Sequence, residues 1–127
     1  METGTKKILI VDDEHSVIAY LSALLKDNGY ETLAASNGRE GYSKAVAERP
    51  DLILLDITMP EESGVRMFRN LQENAETAAI PVFMVTGVSH DFKEFIENRK
   101  LVKKPAAYFD KPVDKAALVA KIREVLS

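Results

Sequence analysis

Leu52-Ile53-Leu54-Leu55-Asp56 is a run of four large apolar residues that leads directly into an acid. A strand with one face in water alternates apolar and polar side chains. A continuous apolar run of this length instead fits a strand covered on both faces, as in a parallel sheet. Upstream, Lys7-Ile8-Leu9-Ile10-Val11 has the same character and leads into Asp12-Asp13. Between the two runs, residues 14–28 carry Val17, Ile18, Leu21, Leu24 and Leu25 at the spacing of one helix face. Gly29 follows, suited to a left-handed residue just past a helix end. Residues 31–35 read as a strand. Asn37-Gly38 opens a second helix with Tyr42, Ala45 and Val46 on its inner side, and Pro50 closes it.

Downstream of Asp56, Met59-Pro60 and Ser63-Gly64 mark a loop, and the helix after it carries Val65, Phe68 and Leu71. Residues 80–85 predict a fourth strand bounded by Thr86-Gly87. A weaker helix follows over 90–100, with Phe92, Phe95 and Ile96 as its apolar side. Residues 107–109 predict a short fifth strand ending at Asp110-Lys111-Pro112. Asp114 can cap a last helix whose inner face is Leu118, Ile122 and Val125. Five strand–helix units in alternation imply an α/β protein: a doubly wound five-stranded parallel sheet with helices on both faces and right-handed crossovers. Periodicity does not give the strand order.

The 127 residues predict a single domain over 1–127, and 46% hydrophobic composition supports a core in a chain of this size. There is no cysteine, so disulfides, thiolate metal sites and cysteine nucleophiles are excluded. The apolar run 8–11 is far too short for a signal-peptide core or a membrane span, and the expected location is cytoplasmic. A net charge of −3, from 17 basic and 20 acidic side chains, argues against nucleic acid as the main partner.

Asp12 and Asp13 follow the first strand, Asp56 the third, and Lys111 the fifth, while Thr86 ends the fourth. All therefore fall at strand carboxyl ends, the edge where open α/β sheets bind ligands. Carboxylates gathered there repel one another unless a cation joins them. A hard divalent ion with oxygen ligands answers that need, and Mg²⁺ takes a few carboxylates plus waters. Lys111 adds a fixed positive charge suited to a phosphoryl group. The structural alternatives are a helix-capping role for Asp12-Asp13, a turn residue at Asp56, a surface lysine at 111 and simple packing for Tyr108. His15 and His90 are read as structural, and the basic run 99–104 as a solvated segment.

Over most of its length the chain resembles the receiver domain of two-component response regulators. The resemblance rests on Val11-Asp12-Asp13-Glu14, Leu55-Asp56-Ile57-Thr58-Met59-Pro60, Ser63-Gly64, Val85-Thr86-Gly87 and Asp110-Lys111-Pro112, in order and each at its own strand end. It implies a flavodoxin-like (βα)5 sheet of order 2-1-3-4-5, with Asp56 as phosphoacceptor. Asp13, Asp56 and the Thr58 carbonyl would bind Mg²⁺ directly, and Asp12 would act through bound water. Thr86 would hydrogen-bond the phosphoryl group, Lys111 would contact its oxygens, Tyr108 would be the switch aromatic, and the Lys111-Pro112 bond would be cis. The donor would be a sensor histidine kinase or phosphotransfer protein, and the output regulation of a separate protein. Beyond its own phosphorylation and dephosphorylation the chain is expected not to be an enzyme. A stand-alone, chemotaxis-type receiver is expected, as a monomer or weak homodimer. The 25 residues from Thr86 to Lys111 exceed the usual receiver interval.

Two other classes fit less well. An aspartyl-phosphate phosphatase of the haloacid dehalogenase type needs a second Asp two residues past the nucleophile, where this chain has Thr58. A flavodoxin-like electron carrier needs a Ser/Thr-rich phosphate loop after the first strand, where Asp12-Asp13-Glu14 would repel the flavin phosphate. A degenerate receiver that only binds partners is disfavoured by the filled acidic, hydroxyl and lysine positions.

Overall fold

A computed structural model describes residues 5–57, 59, 63–86, 105–111 and 113–126. Several expectations lie outside these residues: Thr58, Gly87, the helix over 90–100 with His90, the run 99–104, and Pro112 with its cis bond. The side chain of Thr86 is also outside them.

Nine elements are described. They run β1 (Lys7–Val11), α1 (His15–Asp27), β2 (Glu31–Ala35), α2 (Gly38–Glu48), β3 (Leu52–Asp56), α3 (Ser63–Glu73), β4 (Val82–Thr86), β5 (Ala107–Asp110) and α4 (Lys115–Leu126). All strand pairs are parallel, in the order β2-β1-β3-β4-β5. The chain therefore reverses its direction of winding between β1 and β3, which places a crevice beyond their carboxyl ends.

The apolar runs have the cause inferred from sequence. Alternate residues of one strand enter opposite cores. Leu9, Val11, Ile53 and Leu55 join Ala45, Val65, Met67, Phe68 and Leu71 of α2 and α3 on one face. Ile8, Ile10, Leu52 and Leu54 join Leu21, Leu25, Leu118 and Ile122 of α1 and α4 on the other. Phe83 of β4 is fully buried on this second face, its ring 5.7 Å from that of Phe109.

Helix ends follow local chemistry. Gly29 takes φ 91°, the left-handed geometry expected after α1. Asn37 caps α2 by accepting from the Glu40 amide at 2.8 Å, and Glu40 in turn accepts from the Ser36 amide at 2.7 Å. At the other end of α2, Arg49 rather than a glycine adopts φ 51° before Pro50. Asp114 caps α4 through the Ala117 amide at 3.1 Å. The buried Thr77 hydroxyl donates to the Leu71 carbonyl at 2.7 Å and so satisfies an open acceptor at the end of α3.

The boundaries of β3, β4 and β5 differ from expectation. β4 begins at Val82 rather than residue 80, because Pro81 has no N–H to give the ladder and contributes only its carbonyl, to the Ile53 amide. β3 and β5 each extend one residue further, through Asp56 and Asp110, which pair with Val85 and Thr86. Val46 is half-buried, and Val125 is half-buried but packs against the core on the inner face of α4 as expected. β2 forms one edge of the sheet. Its Glu31 and Ala35 bond towards β1, so Ala34 turns its carbonyl outward, where the Lys44 ammonium from α2 donates to it.

Candidate functional site

The carboxyl ends of β1, β3 and β5 deliver the acidic and basic groups of the site. β1 ends at Val11, and Asp12 still donates its amide to the Ala35 carbonyl at 3.1 Å. The Asp12 side chain turns back, one oxygen accepting from the Glu14 amide at 2.9 Å, which fixes the entry to α1. Asp13, the next residue, is exposed, whereas Asp12 and Asp56 are each only 2% exposed. Carboxylate oxygens of Asp12, Asp13 and Asp56 lie within 4.8 Å of one another.

Lys111, just past β5, reaches into this cluster. Its ammonium donates to Asp12 at 2.9 Å, Asp56 at 3.4 Å and Glu14 at 3.4 Å. Burial raises the Asp12 pKa above the ordinary carboxylate value, and the Asp56 charge adds to this. The Glu14 amide and Lys111 pull the other way without cancelling it. Burial works against the Lys111 ammonium, but its hydrogen bond to Asp12 and the charges of Asp56 and Asp12 outweigh burial and hold its pKa above the usual lysine value.

Three carboxylates and one ammonium leave a net negative site made only of oxygen ligands and open to solvent at Asp13. That donor set fits a hard divalent cation that keeps several waters. A cleft of about 630 Å³ between α2 and α3, with Arg39, Tyr42 and Arg66 on its walls, opens beside Asp13.

Asp12, Asp13, Asp56 and Lys111 are thus brought together as the sequence predicted. Thr86 lies at the end of β4, paired with Asp110. Tyr108 is half-buried in β5, against the core beneath α2 and α3. His15 begins α1 and is exposed. Glu14 was quoted in the sequence motif without a role, and it is the third carboxylate on Lys111. Gly64 was read only as a loop residue, but it lies in the first turn of α3 with its backbone against that of Asp56.

Sheet order and site together define a flavodoxin-like α/β protein with an acidic cluster able to hold a metal at its switch point. The chain belongs to the response regulator receiver domain family of two-component systems, which its residues 8–123 match. PilH of Pseudomonas aeruginosa is 38% identical over 121 residues, covering 95% of this chain and 98% of PilH. The transcriptional regulatory protein PhoP of Bacillus subtilis is 32% identical over 95% of this chain, which spans 48% of that protein, about half its length. The chemotaxis protein CheY4 of Vibrio cholerae superposes with a TM-score of 0.85 at 28% identity, covering 97% of this chain and all of that one. No helix among the described residues is long and apolar enough to cross a membrane.

Proposed function

We propose that this chain accepts a phosphoryl group on Asp56 from a sensor histidine kinase or phosphotransfer protein, and that the phosphorylated form regulates a separate partner protein. The observation that carries this reading is the placement of Asp56: 2% exposed at the end of β3, grouped with Asp12 and Asp13, and 3.4 Å from the Lys111 ammonium. A carboxylate beside a fixed cation is a competent nucleophile towards phosphorus. An Asp56 oxygen forms the new P–O bond as the P–N bond of the donor phosphohistidine breaks and the imidazole leaves with the electron pair.

The other groups act by position and charge, which is most of what phosphoryl transfer asks of a protein. Asp13 and Asp56, with the Thr58 carbonyl, would hold Mg²⁺, and Asp12 would act through its water. When bound, Mg²⁺ would neutralise charge on the transferring group. Lys111 would move from its carboxylate partners to the phosphoryl oxygens. The Thr86 hydroxyl would follow the phosphoryl group, with Tyr108 as the aromatic that responds, and so bias a two-state equilibrium. On this reading residues 1–127 form one receiver domain acting in the cytoplasm, through protein contact rather than nucleic acid, as a monomer or weak homodimer. It turns over no substrate other than its own phosphoryl group.

Intact-protein mass after incubation with acetyl phosphate tests the reading. A phosphoryl adduct that requires Mg²⁺ and disappears in Asp56→Asn is expected. An adduct that persists in Asp56→Asn removes Asp56 from the chemistry.

A further inference from the structure

Gly64 occupies a helical position at which glycine is a poor choice, because alanine favours helix formation. Its backbone does not need glycine's conformational freedom, since Gly29 is the one described glycine with positive φ. What glycine supplies at 64 is space. A Cβ built there would lie 2.4 Å from the Asp56 carbonyl oxygen and 2.8 Å from the Ile57 Cα, and contacts under 3.0 Å are essentially never seen for real Cβ atoms. Gly41 gives a useful contrast. A Cβ there would meet the Met67 sulfur at 2.8 Å and a Val11 methyl at 2.9 Å, side-chain atoms rather than backbone. At Gly64 the obstacle is the main chain of the acid at the centre of the site, and it cannot rotate away. The flanking residues Ile57, Met59 and Val65 are all at most 4% exposed, so neither segment is free to retreat into solvent.

We infer that Gly64 is a positioning residue for Asp56. By omitting a side chain it lets the first turn of α3 rest directly on the peptide that follows the Asp56 Cα. That contact fixes the direction in which the carboxylate leaves β3. The inference rests on the reading of Asp56 as phosphoacceptor. Reactions that depend on in-line approach lose about 100-fold when a group is misplaced by about 1 Å. Bringing the 2.4 Å contact out to 3.0 Å parts the two backbones by about 0.6 Å, more than half that distance.

The test is the rate of phosphorylation by acetyl phosphate at saturating Mg²⁺ in Gly64→Ala, alongside Gly29→Ala. The control introduces backbone strain at φ 91°, in a turn with nothing within 4 Å of the added methyl. Gly64→Ala is expected to lose about 10- to 100-fold in maximal rate, with the half-saturating donor concentration unchanged. Gly29→Ala is expected to match it in lowered melting temperature while keeping the wild-type rate. Val65→Ala provides a second route if the added methyl blocks folding, because it loosens the seat of α3 without adding an atom. It should lose rate beyond what Ile122→Val, a truncation in α4 on the opposite face, loses. Wild-type rate in folded Gly64→Ala, or in Val65→Ala, overturns the inference, as does a loss shared equally by the matching control. A wild-type protein that takes no phosphoryl group at Asp56 overturns the underlying reading as well, and shows this before any Gly64 variant is made.

Discussion

Lys111→Met replaces an ammonium that contacts two nearly fully buried carboxylates, Asp12 and Asp56, with an apolar chain of similar length. At an effective dielectric of 20, its attractions to Asp12 at 2.9 Å and Asp56 at 3.4 Å are about 6 and about 5 kcal/mol before desolvation is counted. Desolvation of all three groups offsets most of that, and removing one partner of a buried ion pair typically costs about 3–5 kcal/mol. Protonation sets a ceiling, because a carboxylate stripped of its cation can take up a proton. From an unfolded-state pKa of about 3.9, that costs about 4 kcal/mol at pH 7 and about 1.5 kcal/mol at pH 5. The expected loss is therefore about 3 kcal/mol at pH 7, a melting point lower by roughly 10 °C, shrinking to about 1.5 kcal/mol or less at pH 5.

Two linked effects set the signs. The Lys111 pKa is raised in the folded protein, so its contribution is complete at neutral and acid pH and is lost only as pH rises through that value. The change between pH 5 and pH 7 in the variant thus comes from the acids. Asp12 already has a raised pKa, and without Lys111 it rises further, destabilising the fold above that pKa and relieving it as pH falls. Urea unfolding at both pH values, with EDTA and with Mg²⁺, measures this directly. Mg²⁺ should recover most of the loss by replacing the missing positive charge. A loss below about 1 kcal/mol at pH 7 that is also flat with pH would refute the view that Lys111 neutralises this cluster.

Further consequences are open to measurement. Mg²⁺ should raise the melting temperature of the wild type, by about 2.7 kcal/mol of added stability at 100 times its dissociation constant. Asp13→Asn should abolish most of that response, and an undiminished response would remove Asp13 from the ligand set. Thr77→Val keeps shape but leaves the Leu71 carbonyl without its 2.7 Å donor. It should cost about 1–2 kcal/mol in urea unfolding, and an unchanged midpoint would mean that water replaces the hydroxyl. The Ser36 amide, its hydroxyl and Lys44 hold the Glu40 pKa below the usual carboxylate value. That stability is present at neutral pH and is lost as pH falls through the folded-state pKa. Glu40→Gln should therefore be less stable at pH 7 and converge with wild type in acid, and a constant offset would assign the effect to packing.

What the sequence made legible, and what it did not, has a physical division. Burial on both sheet faces demands continuous apolar runs, so 7–11 and 52–55 announced a parallel sheet. Ligand chemistry at strand ends requires polar residues directly after such runs, so Asp12, Asp13, Asp56 and Lys111 could be grouped across separations of up to 99 residues. Adjacent acids are indistinguishable in a sequence, yet one turn of backbone buries Asp12 and leaves Asp13 in water. The 2-1-3-4-5 order came from the resemblance, because periodicity describes a strand's two faces and not its neighbours. Gly64, Gly41 and Thr77 act through tertiary approach or a helix end, and nothing local in the chain marks them. Pro81 did mark the true start of β4, and the apolar Ile80 before it masked the signal.

The Lys44 ammonium on the Ala34 carbonyl bears on how such molecules behave when crowded. An outer strand ordinarily offers a ladder of open carbonyls and amides on which a neighbour's strand can template itself. On β2 one rung is already taken by a cation, and a strand arriving there would have to strip it away and bury its charge. The outer strand of a parallel sheet is a hazard for runaway stacking, and here the Lys44 ammonium, with the exposed Glu31 on β2 itself, covers one of the two margins. Lys44→Met, which frees that rung, is expected to aggregate faster than wild type when concentrated, as light scattering would read, and an unchanged rate would mean that the rung is not what protects this flank.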